Sequence, residues 1–541
     1  MRFPLYLFAG LVVTAVLSAA VRRPSHRPMV NSDLPRPSIE VPSCLVGPKD
    51  SIRIRSVGGG GLLISSAAYG PLQEVGADHK ALPITTDQRR TERLVTIPTA
   101  IPWKHPYPGQ PSAMVLRVAE VGPAGRQGPV EMFTGILVDH AGMPIISLLA
   151  PEDAFFDPDT GIYVVGNAVM HPTPEMMLTQ QEDGRWWKYP GNYHFRGREW
   201  ERHGLVQFID GNGVDHYQAP VRLRANGQMT RGFPQHALRL LFDEPVPVEV
   251  IGDDRGAVAY VLRAAGNDQM KAMMRDALAH ALCDAQPFEV ANARTCAVYV
   301  NGAYWGVHQL RPRMDEKELA RRAEVRPKEI ALVEVRSRML VGKEGDVAEL
   351  RETLEKIVSM AKGPDFMEKV EQDIDLDAFL HYMACVLILD NQDWPHNNVK
   401  IWRYTGKDSG DELRDGRWRF ILNDMDLGLG AYGSADLPLF DRIKGNGPVP
   451  DLFRALMGSV EVRDRFDRIV DGLLSGPFSP AISVARLDAM MQEMAPEMPR
   501  HIARWRQPSS IARWKAEVDR IRTFLTERPR YVGQRARGSL P

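Results

Sequence analysis

Residues 390–404 read DNQDWPHNNVKIWRY, and residues 416–430, beyond a polar spacer, read GRWRFILNDMDLGLG. The run before them, Tyr382 to Leu389 (YMACVLIL), is apolar throughout and predicts the buried end of a helix. Val399 to Tyr404 and Trp418 to Leu422 alternate like two strands of a hairpin. Asn391, Asp393, His396, Asn397 and Asn398 therefore follow one rigid element, and Asp424 and Asp426 follow another. Asp and Asn are common in turns because they hydrogen-bond their own backbone, so either cluster alone reads as a loop. Two such clusters, each closing a rigid element, read instead as chemistry facing one cleft.

Four residues separate Asp393 from Asn398. This is the D-x-x-x-x-N spacing in which a kinase catalytic loop pairs an acceptor of the hydroxyl proton with a metal-binding amide. Asp424 and Asp426 add carboxylates of the kind that hard divalent cations take beside nucleotide phosphates. Spacing leaves the metal role open between them: Asp424 follows the strand most directly, while Asp426-Leu427-Gly428 is closer to the kinase D-F-G triplet.

The segment NQDWPHNNVKIWR followed by WRFILNDMDLGLG resembles the spore coat protein H (CotH) kinase family. Other blocks are similar to that family in the same order: MPIISLLAPEDAFFDPDTGIYVVGN (143–167), RGREWERHGLVQF (196–208), GQMTRGFPQHALRLLF (227–242), LRAAGND with MRDAL (262–278) and VYVNGAYWGVHQLRPRMD (298–315). The likeness covers roughly residues 143–535. It implies an α+β fold, a divergent protein-kinase-like two-lobe domain preceded by an all-β sandwich. It further implies ATP with Mg²⁺ or Mn²⁺, and a protein hydroxyl as phosphate acceptor. On this resemblance Asp393 is the catalytic residue, and Asn398, Asp424 and Asp426 are metal ligands. Gly227, Arg231, His236, Arg239, Asn397 and Lys400 are then expected near the nucleotide.

Two positions depart from the family pattern. Relatives carry approximately G-x-x-S-R-x-x-P-x-K-S; Gly227, Thr230, Arg231 and Pro234 fit, but His236 stands at the Lys and Ala237 at the Ser. A histidine of ordinary pKa is mostly neutral near pH 7, which leaves Arg231 or Arg239 to supply a cation. Pro312 likewise replaces the Glu of an approximate L-x-E-x-I-D, and proline neither binds metal nor donates a hydrogen bond. These departures keep a non-catalytic binding protein as the alternative, with a metal-dependent hydrolase behind it.

The chain has 541 residues, 44% of them hydrophobic and 25% charged, enough for a large core and two to four domains. A net charge of −1 gives no electrostatic case for nucleic acid or an anionic membrane as partner. Cys44, Cys283, Cys296 and Cys385 lack metal-ligand spacing; Cys283 and Cys296 read as buried small apolar residues, with a disulfide in an oxidising compartment as the alternative. Arg2, the apolar run Phe3 to Ala20 and the small residues Ser18-Ala19-Ala20 read as a secretory signal or, uncleaved, a membrane anchor. Export is the expectation either way, to periplasm, cell surface or medium.

The expected organisation is a signal or anchor over 1–20, a Pro-rich disordered linker over 21–42, a β-sandwich without notable helix over 43–140, and the kinase-like domain over 141–541. Within the last, 141–315 is expected to be strand-rich and 316–541 helical. Gly58 to Gly61 reads as a flexible turn, since no Lys and no helix start follow it. Asn267 to Leu282 predicts a helix capped by Asn267 or Asp268, carrying the Arg275-Asp276 pair of the family. Asn301-Gly302 predicts a hairpin turn. Helices are expected over 315–325, 346–360, 452–474 and 484–525, with Asp375 capping the one that leads into the opening stretch and Trp505 and Trp514 as core anchors.

Overall fold

The computed structural model describes residues 34–535 apart from 42, 67–68, 77, 123–124, 172–186, 188, 190, 248–255, 361–364 and 408. The expected signal over 1–20 and most of the expected linker lie outside the described residues. Among the described residues, no helix is long and apolar enough to cross a membrane.

Chain order first builds two small sheets. Strands β1 (Ser38–Glu40), β2 (Ser51–Arg55) and β5 (Asp78–Pro83) form one, in the order β1-β2-β5. Strands β3 (Gly61–Ser65), β4 (Gln73–Gly76), β6 (Met114–Val121) and β7 (Gln127–Gly135) form the other, in the order β4-β3-β6-β7. β1 falls inside the stretch expected to be disordered; it pairs antiparallel with β2 and so has a partner for its backbone. A helix, Gln88–Val95, also corrects the expectation of an all-strand region. Its N-cap Asp87 accepts from Arg90 N–H at 2.9 Å, and it buries only Thr91, Leu94 and Val95, too few apolar positions to show as a period in the sequence.

The centre is a closed barrel of β8 (Ile145–Leu149), β9 (Arg202–Ile209), β10 (Asp215–Asn226), β11 (Ala237–Leu241), β12 (Ala259–Arg263), β13 (Arg294–Val300) and β14 (Ala303–Pro312). All neighbours are antiparallel except β8 with β13. Inward side chains such as Leu148, Phe208, Leu223, Leu240, Leu262 and Val298 fill it. Strand alternation then turns the intervening residues outward. Cross-strand register puts Arg224, Arg239, Val261 and Arg311 in one row on that outer face. The apolar faces of the two small sheets (Ile54, Leu62, Leu116, Phe133) share a core with Met143, Ile145 and Ile209 of the barrel, so the boundary expected at 140 is crossed by continuous packing.

Beyond the barrel, β15 (Ile330–Arg336), β16 (Met339–Val341), β17 (Val399–Tyr404) and β18 (Arg419–Ile421) form a sheet in the order β16-β15-β17-β18. The hairpin expected from 399–422 is β17 with β18. The helix Leu376–Leu389 packs behind it, capped by Asp375, which accepts from Ala378 N–H at 3.1 Å. It is apolar all round and accordingly buried along nearly its whole length. Helices Pro448–Leu456, Val460–Ser475, Pro480–Met494, Met498–Trp505 and Ile511–Arg535 complete the molecule, with Trp505 and Trp514 buried as expected. All four cysteines are free and buried.

The helix expected over 267–282 begins only at Arg275. Met273 adopts a left-handed conformation (φ +63°), and the preceding residues form an irregular wrap. Met274, not Asn267 or Asp268, stands at the N-cap, and the Asp268 carboxylate reaches across to accept from Met274 N–H at 2.9 Å and Arg275 N–H at 3.0 Å.

Candidate functional site

The two polar clusters meet. Asp390 ends the long helix in a left-handed conformation (φ +51°), and Arg442 holds its carboxylate at 2.8 Å. That turn releases the chain into the loop 391–398, which is anchored by Trp394, buried and donating through Nε1 to Tyr382 OH at 2.9 Å. Burying an indole of this size contributes about 3 kcal/mol. Asn391 joins the clusters: its Nδ2 donates to the Asp424 carbonyl at 2.9 Å, and its Oδ1 accepts from Asp393 N–H at 3.1 Å. Asn398 joins them again, donating through Nδ2 to Asp393 Oδ2 and to the Asp424 carbonyl, each at 3.2 Å. Asn397 Nδ2 donates to Asp393 Oδ1 at 2.9 Å. Asn398 (φ +62°) and Asp424 (φ +51°) are left-handed, a conformation that Asn and Asp tolerate better than other side chains. Sterically uncommon backbone of this kind concentrates at functional loops.

Asp424 and Asp426 differ sharply. The Asp424 side chain is 35% exposed, and Arg263 Nη2 engages only its Oδ1. Asp426 is 1% exposed and saturated: its Oδ2 accepts from Arg263 Nη2 at 3.0 Å and from Asn267 N–H at 2.8 Å, and Asn267 Nδ2 reaches its Oδ1 at 3.2 Å. Burial pushes the Asp426 carboxyl up, and the neighbouring Asp424 adds to it. Gly266 (φ +58°) is required here, because a Cβ would run into Asp426.

Asp276, from the helix Arg275–Leu282, completes this cluster. Its Oδ1 accepts from Met425 N–H at 2.7 Å, and its Oδ2 lies 3.4 Å from Arg263 Nε and in contact with Arg311 Nη1. Burial would raise the Asp276 carboxyl, but Arg263 and Arg311 outweigh it and hold it below the ordinary range. Burial would correspondingly lower Arg263, and Asp276, Asp424 and Asp426 more than reverse that. The Arg275-Asp276 pair does not pair internally: Arg275 binds Asp268 and, at 3.0 Å, Glu517 of the last helix.

The residues expected around the nucleotide divide. Lys400 extends from β17 and donates to Met314 O at 2.9 Å, with Glu334 at 3.7 Å; burial lowers its pKa, opposed by Glu334 and aided by Arg313, Arg311 and Arg239. Arg239 stands in the outer row of the barrel and donates through Nε to Asn226 at 2.8 Å. Burial and then the cations Arg313, Arg231, Arg224 and Arg196 bring it down to about 9, the signature of crowded positive charge. Asn397 fixes Asp393 and accepts from Ser337 N–H at 2.9 Å, so it shapes the loop.

Three others do not fit a phosphate ligand. His236 is fully buried, packed against the tilted rings of Tyr163 and Tyr193, and its Nε2–H donates to Thr99 O at 2.8 Å. Burial brings it down to about 3, so it is a neutral core residue sealed by the segment after the helix Gln88–Val95. Arg231, 3% exposed, spends its donors on the Gly227, Tyr193 and Phe195 carbonyls and straps loops together. Gly227 (φ +103°) provides the turn that Arg231 ties. Pro312 ends β14, flanked by Arg311 and Arg313.

Arg263 and Arg311 were not singled out from the sequence, and Asn267 was read there only as a candidate helix cap. A charged residue at the end of the otherwise apolar strand AYVLR was the available signal for Arg263. Its partners Asp424 and Asp426 lie more than 150 residues away, so the pattern alone could not name them.

No curated protein matches the chain. The family described as CotH kinase protein matches residues 223–532, well over half of it, from within β10 through the last helix. The matched span holds both halves of the site, Arg263 to Arg311 and Asp393 to Asp426, although β8 and β9, which close the barrel, lie ahead of it. With most of its length so matched, the chain belongs to the CotH kinase protein family.

Proposed function

We propose that this chain transfers the terminal phosphoryl group of ATP to a protein hydroxyl, with Mg²⁺ or Mn²⁺, on a divergent kinase-like two-lobe scaffold. The observation that carries the reading is the meeting of the two loops at one amide: Asn398 Nδ2 donates to the Asp393 carboxylate and to the Asp424 backbone carbonyl. The oxygen donors suit a hard cation: a carboxylate of Asp424 with one oxygen outside the Arg263 contact, the amide oxygen of Asn398, and the Asp393 carboxylate beside them. Among the described residues no group of three or more His, Cys, Asp or Glu forms a metal centre by itself. A cation sharing its ligands with nucleotide phosphates needs only one or two carboxylates. When bound, it would neutralise charge on the transferring group. Asp424 and Asn398 would hold it, and Asp426 would act through Arg263 and Asn267 as a positioning residue.

Asp393, oriented by Asn397 and Asn398, accepts the proton of the acceptor hydroxyl. Arg239, in the outer row of the barrel, and Lys400 of β17, which feels the charge of Arg239, Arg311 and Arg313, receive the phosphates in place of the family lysine. The exported address and an accessory β-region for surface contacts belong to the same reading.

The neutral, sealed His236 and the engagement of Asp424 by Arg263 favour a second reading, a non-catalytic binding protein on the same scaffold. Transfer of labelled γ-phosphate to protein separates them. The first reading expects transfer by the native chain with Mg²⁺ or Mn²⁺ and its loss in Asp393→Asn; absence of transfer with retained nucleotide binding selects the second.

A further inference from the structure

Arg263 sits between Asp424 and Asp426 and meets both carboxylates through one nitrogen, Nη2. Three carboxylates (Asp276, Asp424 and Asp426) face two guanidinium groups (Arg263 and Arg311). The imidazole of His280, 3.9 Å from Asp276, is buried. The carboxylates are not equivalent, since Asp276 and Asp426 are 2% and 1% exposed and Asp424 is 35% exposed. Arg263 is penned on the inner side, by Asp426 and by the left-handed turn Ala265-Gly266, where a Cβ would meet both Asp426 and the Arg263 guanidinium. Its contact with Asp424 is the one made to a carboxylate open to solvent.

We propose that Arg263 is the resident counter-cation of this site: it holds Asp424 while no divalent ion is bound, and yields that carboxylate alone when one enters, keeping Asp276 and Asp426. The inference rests on the reading of Asp424 as a metal ligand. Arg263 is a positioning residue in this scheme. A divalent ion must compete with a guanidinium already in place, so it binds weakly alone and gains when nucleotide phosphates share its coordination.

Titration of the full chain with Mn²⁺ in the absence of nucleotide, read by the paramagnetic signal of free Mn²⁺, tests this. Arg263→Gln is expected to bind one Mn²⁺ at least tenfold more tightly than the native chain, and Arg263→Lys, which cannot fork between carboxylates, to fall between. Adding Asp424→Asn to either variant should remove the gain. Should Arg263→Gln fail to fold, the lysine variant carries the comparison. Affinity in a folded variant equal to or below that of the native chain overturns the proposal. Phosphoryl transfer is scored separately by label, so an inactive native chain whose Arg263 variants tighten Mn²⁺ would retire the catalytic reading and leave this one standing.

Discussion

At position 393 a half-buried carboxylate accepts from two side-chain amides that come from its own loop, which leaves its orientation fixed and its chemistry available. Asp393→Asn should lower phosphoryl transfer by a factor of about 10² to 10⁴, the usual worth of a general base, with nucleotide binding retained in a thermal-shift assay. Equal loss of binding would make Asp393 a structural residue. The D-x-x-x-x-N spacing made this pair readable in the sequence, because both residues lie on one loop. His236 was misread for the converse reason: its burial depends on Thr99 and Tyr163, remote in the chain. Burial holds His236, His280 and His501 near 3 and His308 near 4, against about 6.5 when unfolded. A base with a depressed folded pKa binds fewer protons when folded, so its contribution is intact above about pH 6.5 and is lost as pH falls towards 4, at about 1.4 kcal/mol per pH unit for each histidine. Tm should therefore fall steeply over that window, and less steeply in His236→Gln; identical slopes would contradict the assignment.

Loops become a site at the level of elements. The helix Leu376–Leu389 and the hairpin of β17 and β18 were legible from apolar runs and alternation, and so were the ends from which the polar loops spring. The wrap before Arg275 was not, because a left-handed Met273 leaves no mark in a pattern that still reads as helical. Asn391 and Asn398 bind the Asp424 carbonyl from the opposite loop, which makes them the latch between elements. Asn391→Ala leaves Asp393 N–H without this acceptor and should cost about 1–3 kcal/mol in chemical denaturation. It should also weaken metal-dependent nucleotide binding. A variant as stable as the native chain would show that the latch is not holding the two loops.

Taken whole, the molecule is a barrel with its outer cationic face turned to the polar loops and its ends joined to neighbouring layers. Antiparallel neighbours in sequence were foreseeable, but the parallel pairing of β8 with β13 and the shared core with the small sheets join residues far apart, so strand patterns did not reveal closure. The last helix is tied back by Arg275, which joins Asp268 to Glu517, and by Trp514 Nε1, which donates to Ala272 O at 2.9 Å. Arg275→Ala takes the buried guanidinium from Asp268 and Glu517, leaving them backbone N–H groups and Arg513, and should destabilise by about 3 kcal/mol, read as a fall in the denaturation midpoint. The most direct measurement of the central claim is the Tm of the native chain and of Asp424→Asn with ATP, with and without Mg²⁺ or Mn²⁺. At a hundred times its Kd a ligand adds about 2.7 kcal/mol, and the account predicts a rise in Tm that needs the divalent ion and disappears in Asp424→Asn. A Tm unmoved by ATP with either ion, or moved equally without one and in the variant, would contradict it.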